Sequence, residues 1–204
     1  MTLQEIGLKH GTDKATTHLY MDNYEKYFEP LRNKEFVLLE LGVSTGASIK
    51  TWREYFPNAK VYGIDNNPDC AGEGIFIGSV TDEMFMQNVL DKIGEVSILI
   101  EDSSHIGWDM IKIFEFIFPK IKSGGYFVLE DTHVIYNSHY EQGSGAFNFF
   151  TGLAKDVDVA GRGMTGNVSY ALQVENPTFE SVPKYSCYLD SIFIHPSLWL
   201  FKRK

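Results

Sequence analysis

Apolar runs that alternate with segments of helical periodicity limit the folds open to this chain more than any other feature. The runs lie at residues 36–42, 60–65, 74–79, 96–102 and 125–131, and amphipathic segments lie at residues 44–56, 82–93 and 106–121. Continuous apolar runs are typical of parallel strands buried on both faces. Because helices join successive strands, we predict an α/β fold with a doubly wound, mostly parallel Rossmann-like sheet.

The segments before and after the alternating strands and helices predict further structure around the sheet. Residues 1–35 predict a helical cap at the sheet's functional end, and residues 132–166 lack a sustained period and predict a mobile lid or insertion. Two further strand candidates lie at residues 167–175 and 188–203, and the second predicts an antiparallel C-terminal hairpin around His195 and Pro196. A chain of 204 residues fits one domain, which we place at residues 1–204.

Charge and composition narrow the partners that we expect. The 27 acidic and 18 basic residues give a net charge of -9, which would repel a nucleic-acid backbone. The two cysteines do not form a disulfide framework, and no apolar run approaches the roughly 20 residues of a membrane-spanning helix. We therefore expect a cytoplasmic protein that binds neither nucleic acid nor membrane.

The ends of the predicted strands carry small and acidic residues. Parallel sheets bind ligands at the carboxyl ends of their strands. Gly42 and Gly46 lie in a tight strand-to-helix turn, and Asp65 ends the next strand, where a carboxylate can accept both ribose hydroxyls. The loop is not a complete pyrophosphate-binding G-x-G-x-x-G, so S-adenosylmethionine (SAM) fits better than a dinucleotide.

The motifs "GTDK" with "HLY", "ELGVSTGAS", "GIDNNP", "IEDSSH" and "LEDTH" together resemble those of class I SAM-dependent O-methyltransferases that act on sugars of macrolides and related glycosides. The resemblance covers roughly residues 7–135 in motif order and implies SAM and magnesium as cofactors. The chain departs from the family at Ser44, where a glycine is usual, and at Ser79, where an aspartate is common. We expect the acceptor to be a sugar or glycosylated small molecule, either a natural product or a precursor of a surface polysaccharide.

The resemblance also implies roles for particular residues. It makes Asp102 and Asp131 the magnesium ligands and His105 the general base. These roles suit the side chains, since hard cations prefer carboxylate oxygens and an imidazole titrates near neutral pH. A third acidic ligand stays open among Glu25, Glu101 and Glu130. Lys14 is expected to pair with the carboxylate of SAM. The implied cofactor-binding residues are Thr12, Lys14, Tyr20, Glu40, Gly42, Gly46, Ser48, Asp65, Ser79 and Asp102.

Several alternatives stay open from the sequence. Asp102 could instead cap the following helix, and His133 could either orient the substrate or be a solvated loop residue. The aromatic residues at 136–150 predict either a lid that stacks on sugars or a contact in a homodimer. For the whole chain, a nicotinamide-dependent oxidoreductase and a non-catalytic SAM-binding protein are the alternatives to a methyltransferase.

Overall fold

The computed structural model of the protein describes residues 1–159 and 183–204. Seven strands form one sheet: β1 (Val37–Leu41), β2 (Lys60–Asp65), β3 (Ile75–Ile77), β4 (Ile98–Glu101), β5 (Tyr126–Glu130), β6 (Leu189–His195) and β7 (Leu198–Arg203). The helices are α1 (Leu3–His10), α2 (Asp13–Thr16), α3 (Met21–Phe28), α4 (Ala47–Tyr55), α5 (Glu83–Ile93), α6 (Gly107–Ile117), α7 (Ser138–Glu141) and α8 (Ala146–Val159). Short 3-10 helices lie at Glu29–Leu31, Pro68–Cys70, Phe118–Lys120 and Thr132–Tyr136.

The strand order across the sheet is β3-β2-β1-β4-β5-β7-β6. The first five strands are parallel, and β7 runs antiparallel to both β5 and β6. The chain reverses its direction of winding between β1 and β4, which is the switch point where open α/β sheets bind ligands. The predicted doubly wound, mostly parallel sheet with an antiparallel C-terminal hairpin is therefore confirmed.

Helices cover both faces of the sheet and divide the core in two. One core lies under α5, α6 and α8, where the stacked rings of Phe114 and Phe118 pack against Phe127 of β5. The other lies under α1, α3 and α4, where Trp52 packs against Tyr24 and Phe28. Because both faces are buried, the central strands are apolar almost throughout, as the sequence predicts.

The N-terminal region is helical, but its three helices lie in different places. Leu3 and Ile6 of α1 and Met21, Tyr24 and Phe28 of α3 pack within the second core. The four-residue α2 follows the left-handed Gly11 and carries Lys14 to the carboxyl ends of the strands. The N-terminal region thus supplies core packing on one face of the sheet and one side of the ligand pocket.

The segment after β5 differs from the sequence-based expectation. The residues that appeared to lack a period include α8, whose Ala146, Phe150 and Leu153 are buried at helical spacing against α6. The glycines at 143 and 145 obscured this period because they precede the helix. Phe150 is therefore a core residue, whereas Tyr136 and Phe147 are exposed. The strand candidate at residues 167–175 lies outside the described residues.

Within residues 1–159 and 183–204, no helix is both long and apolar enough to cross a membrane.

The loop after β1 offers a test of how closely β1 and β4 pack. Gly42 and Gly46 both have a positive φ, of 88° and 73°. A Cβ on Gly42 would lie 1.9 Å from the carbonyl oxygen of Asp102. A Cβ on Gly46 would meet nothing within 4 Å. We expect Gly46→Ala to cost about 1–2 kcal/mol, from left-handed strain alone. Gly42→Ala should cost at least twice as much because the clash adds to that strain. Urea unfolding of both variants measures the difference, and equal costs would contradict this packing.

Candidate active site

A pocket of about 390 Å³ lies over the carboxyl ends of β1, β2, β4 and β5. A second pocket of about 190 Å³ adjoins it and is lined by Ile64, Asp65 and the residues after β3. Gly42, Asp65 and Ser103 line both pockets, so the two form one elongated cavity across the switch point. Their combined size falls in the usual range for small-molecule sites.

Asp65 holds the glycine loop in place. Its Oδ2 accepts hydrogen bonds from the backbone N–H groups of Val43 and Ser44 at 2.8 and 3.0 Å, and its Oδ1 accepts one from Asn67 at 2.8 Å. Burial opposes ionisation, but these three amides outweigh it and lower the pKa of Asp65. The side chain is thus a charged acceptor at the pocket wall, with lone pairs left for a ligand.

Lys14 lies at the floor of the pocket, buried among three carboxylates. Its Nζ lies 2.5 Å from Asp102 Oδ2, 2.7 Å from Glu130 Oε2 and 3.4 Å from Glu40 Oε1. Burial alone would lower the pKa of Lys14, but the three carboxylates raise it well above its usual value, so the residue stays an ammonium. This ammonium is the charge that allows three acidic strand ends to converge.

The buried carboxyl groups around Lys14 have raised pKa values. Burial raises the pKa of Glu40 to about 7, although Lys14 and the Ser48 hydroxyl oppose the shift. Burial also raises the pKa of Glu130, against the attraction of Lys14. Glu130 is hydrogen-bonded through both oxygens, to Lys14 and to the Tyr24 hydroxyl. Its role is therefore to anchor Lys14 rather than to contact a ligand.

Asp102, His105 and Asp131 offer ligand atoms that all lie within 4.8 Å of one another. His105 Nε2 lies 3.7 Å from Asp131 Oδ2. The other oxygen of Asp131, Oδ1, accepts a hydrogen bond of 2.6 Å from the Tyr20 hydroxyl and lies 3.3 Å from His18 Nδ1. Lys14 occupies Oδ2 of Asp102, so Oδ1 of Asp102 is the oxygen that a cation can approach.

Backbone strain concentrates around this cluster. His105 and Asp131 have φ values of 59° and 51°, and Ser44 and Leu19 nearby have φ values of 49° and 57°. Non-glycine residues adopt this left-handed conformation at a cost of about 1–2 kcal/mol each, and such residues gather at functional sites. Here the strained backbone aims the His105 and Asp131 side chains at the same point.

A wide groove of about 690 Å³ opens on the other side of the cluster. His18, His105 and Asp131 form its inner end, and the segment after β5 supplies the rest: His133, Val134, Tyr136, Asn137, Ser138 and Tyr140. His133 contacts the Ser197 hydroxyl through its Nδ1 and keeps its exposed face toward the groove. Since His105 and Asp131 line both the pocket and the groove, two ligands could meet at this cluster.

The structure brings most of the sequence-predicted residues to the cavity. Thr12, Lys14, Gly42, Ser48, Asp65, Asp102, His105 and Asp131 line the larger pocket, and Ser79 lines the smaller one. Gly46 begins α4 in a left-handed conformation. Asp102 does not cap α6, and the N-cap residue Ile106 donates its backbone N–H to the Ser104 hydroxyl.

Protein groups already contact the polar atoms of three predicted cofactor-binding residues, Lys14, Glu40 and Tyr20. Lys14 was expected to pair with the carboxylate of SAM, but its ammonium is bound by three carboxylates of the protein. Glu40 is fully buried below Ser48, and Tyr20 is buried and bonds to Asp131. Tyr20 and Glu40 line neither pocket, whereas Lys14 lines the floor of the larger one.

None of the three carboxylates left open as a third metal ligand joins the cluster. Glu25 accepts hydrogen bonds from the Leu3 backbone and the Tyr55 hydroxyl, and Glu101 is buried against Ser103. Glu130 is bound to Lys14 and Tyr24, as described above. The third member among the described residues is His105. Reasoning from sequence missed Tyr24, because an aromatic residue at helical spacing predicts core packing and gives no signal of a polar role.

Comparison with known proteins extends these findings. No family model matches the chain. It is 31% identical over 145 residues, 66% of its length, to 8-demethyl-8-alpha-L-rhamnosyl tetracenomycin-C 2'-O-methyltransferase of Streptomyces olivaceus. It is also 31% identical over 156 residues, 71% of its length, to L-olivosyl-oleandolide 3-O-methyltransferase of Streptomyces antibioticus.

The solved structures show the same architecture. MycE, a methyltransferase from the mycinamycin biosynthetic pathway solved in complex with Mg and SAH, superposes with a TM-score of 0.83 at 20% identity and covers the whole chain. The chain is a homologue of sugar O-methyltransferases and has the class I methyltransferase fold. It spans 38% and 40% of the lengths of the two curated relatives and 54% of MycE.

The buried carboxyl group of Glu101 makes a testable contribution to stability. Burial raises its pKa from 4.5 to about 7, against hydrogen bonds from Ser103, so between these pH values the folded chain holds a proton that the unfolded chain releases. The free energy of unfolding should therefore fall by up to about 3 kcal/mol as pH rises through this window. Glu101→Gln removes this titration. The free energy of unfolding of the variant, relative to that of the wild type, should therefore increase from pH 5 to pH 8.

Urea unfolding of chelator-treated protein at the two pH values measures this gain. The surface variant Glu95→Gln, whose side chain is 63% exposed, should keep the wild-type pH dependence. An unchanged pH dependence in Glu101→Gln would show that the Glu101 carboxyl does not titrate in this window.

Proposed function

We propose that the protein is a SAM-dependent O-methyltransferase that uses magnesium to methylate a hydroxyl group of a sugar or glycosylated small molecule. The observation that carries this proposal is the position of Asp102, His105 and Asp131 where the glycine-loop pocket meets the open groove. A cofactor in the pocket and an acceptor in the groove would meet at this cluster. The names of the homologous sugar O-methyltransferases support the same chemistry.

The pocket suits a nucleoside cofactor. Asp65 is ionised and faces both parts of the cavity, so it would accept hydrogen bonds from the ribose hydroxyls. The smaller pocket, which Ser79 lines, would take the adenine, and Thr12 and Ser48 would face the amino-acid end in the larger one. When bound, SAM supplies a methyl group from its positively charged sulfonium.

Asp102 and Asp131 would hold the magnesium ion. The donors fit this ion because carboxylate oxygens are the hard ligands that magnesium prefers. Each of these two residues has one oxygen bonded by the protein, to Lys14 and to Tyr20 respectively. The remaining oxygens are free to face a cation. When bound, magnesium would lower the pKa of a coordinated hydroxyl group.

His105 would act as the general base. Its Nε2 faces Asp131 at the inner end of the groove, where it would take the proton of the acceptor hydroxyl. The hydroxyl oxygen would then form a bond to the methyl carbon as the carbon–sulfur bond breaks, leaving S-adenosylhomocysteine. Tyr20 and Lys14 would hold the two carboxylates in position and take no part in the transfer of the methyl group.

A homodimer, a cytoplasmic location and the absence of nucleic-acid binding stay predictions from the sequence. The nicotinamide-dependent alternative receives no support from the relatives, whose names describe methyl transfer. The non-catalytic SAM-binding alternative differs from ours only in turnover, which an assay of methyl transfer to glycosides distinguishes.

Calorimetric titration separates the cofactor site from the metal site. We expect chelator-treated protein to bind S-adenosylhomocysteine and then Mg²⁺. Asp102→Asn should weaken Mg²⁺ binding by at least roughly tenfold, since a charged ligand is lost, and change S-adenosylhomocysteine affinity only a few-fold. Asp65→Asn should instead weaken S-adenosylhomocysteine binding by at least roughly tenfold and change Mg²⁺ affinity only a few-fold. Asp190→Asn, on the exposed face of β6, is the control and should bind both ligands as the wild type does.

Two outcomes would contradict the proposal. If the wild type bound no S-adenosylhomocysteine, methyl transfer from SAM would be excluded. If it bound the nucleoside but Mg²⁺ affinity were the same in Asp102→Asn, the ion would have to bind elsewhere.

The groove makes a separate prediction about the acceptor. Tyr136 lines the groove and is 69% exposed, so its ring is available to stack on a sugar or its aglycone. Tyr136→Ala should raise the KM for a glycoside acceptor by roughly five- to thirtyfold, the equivalent of about 1–2 kcal/mol of aromatic contact. S-adenosylhomocysteine affinity should stay unchanged. Met84→Ala, at an exposed apolar residue of α5 that does not line this groove, should leave the KM unchanged, and an equal effect in both variants would exclude the groove as the acceptor site.

A further inference from the structure

The cluster of Asp102, His105 and Asp131 has dimensions that suit a first-row transition-metal ion. Zinc binds oxygen and nitrogen at about 2.0–2.2 Å, so two ligands of one zinc ion lie about 3.4 Å apart in tetrahedral geometry. His105 Nε2 and Asp131 Oδ2 are 3.7 Å apart, and all three ligand atoms lie within 4.8 Å of one another. Small side-chain movements would therefore bring the three atoms onto one ion.

The orientation of His105 is set by its backbone. The residue has a left-handed φ of 59°, which turns the ring toward the carboxylates. Its Nδ1 is buried and has no hydrogen-bond partner among the described residues, whereas Nε2 faces Asp131. Nε2 is therefore the nitrogen that a metal ion could reach, and no competing hydrogen bond between protein groups holds the ring away from it.

The two carboxylates and the imidazole make two different ligand sets. Magnesium prefers oxygen ligands alone and would use Asp102 and Asp131. Zinc, cobalt and nickel bind imidazole nitrogen readily and bind a given site of nitrogen and oxygen more tightly than magnesium does. Zinc sites with an open position use three protein ligands and can combine histidine with carboxylate, as the sets of two histidines and one glutamate do.

We propose that Zn²⁺ and similar first-row transition-metal ions bind at this cluster with His105 Nε2 as the third ligand. Such an ion displaces Mg²⁺ and occupies the nitrogen that would otherwise accept the proton of the acceptor. It therefore inhibits methyl transfer by competing with Mg²⁺. The inference rests on the proposed function, because Mg²⁺ and the base use the same residues.

Metal titration of the full chain tests the third ligand. Chelator-treated protein saturated with S-adenosylhomocysteine is titrated with Zn²⁺ and, separately, with Mg²⁺ by calorimetry. His105→Gln should weaken Zn²⁺ binding by at least about tenfold because a nitrogen ligand is lost, while Mg²⁺ affinity changes less than about threefold because its oxygen ligands remain. His139→Gln, at an exposed histidine of α7, should bind both ions as the wild type does.

X-ray absorption at the zinc edge tests the same ligand without any variant. The wild type loaded with one equivalent of Zn²⁺ should show the outer-shell scattering of a coordinated imidazole, and His105→Gln should lose it. In methyl-transfer assays, Zn²⁺ should inhibit the wild type, and excess Mg²⁺ should reverse the inhibition.

The outcomes separate this inference from the proposed function. Zn²⁺ binding of equal strength in the wild type and His105→Gln, or a zinc spectrum without imidazole, would overturn the inference and leave the proposed function standing. A wild type that binds neither Mg²⁺ nor S-adenosylhomocysteine would overturn the proposed function itself. If zinc nevertheless bound through His105 in that protein, the cluster would be a zinc site without a role in methyl transfer.

Discussion

The buried ammonium of Lys14 is the interaction on which the rest of the site depends. Three acidic strand ends converge on it, and an uncompensated buried charge costs several kcal/mol. Glu130 anchors Lys14 from below with help from Tyr24, and Lys14 in turn holds Asp102 by one oxygen. Removing the ammonium would leave the carboxyl groups to become neutral or repel one another. The position of Asp102 at the pocket wall therefore depends on contacts within the protein.

Asp131 is held on the groove side of the cluster much as Asp102 is held on the pocket side. Its left-handed backbone directs the carboxylate away from the line of β5, and the Tyr20 hydroxyl fixes one of its oxygens. The N-terminal segment thus supplies a support for each carboxylate, Lys14 for Asp102 and Tyr20 for Asp131. This explains why the N-terminal segment from α2 to the start of α3 lies at the carboxyl ends of the strands: it orients two acidic side chains that come from different strands and that would repel each other.

The fold was largely predictable from the sequence because buried parallel strands leave continuous apolar runs, and the order of motifs identified the strand ends. The residues at those ends, Asp65, Asp102, His105 and Asp131, do gather at one cavity. The functions of the supporting residues were not predictable. Lys14 and Glu40 come from distant parts of the chain, and only the packing of α2 beneath the strand ends brings them together. The sequence does not reveal the period of α8 because the glycines before it conceal where the helix begins, so Phe150 was expected in a lid or a dimer contact, whereas it is buried in the core.

In the proposed reaction, the position of His105 has to meet two opposing requirements. A base must lie within hydrogen-bond reach of a hydroxyl group that is itself bound to the metal ion. An imidazole that close to the hydroxyl is also within a short movement of the ion, as the 3.7 Å between His105 Nε2 and Asp131 Oδ2 illustrates. Magnesium tolerates this arrangement because it prefers oxygen ligands, whereas ions with an affinity for nitrogen do not. Under the proposed function, the same proximity that suits His105 to remove a proton also lets an ion with an affinity for nitrogen bind its ring, so only a hard cation leaves the base free.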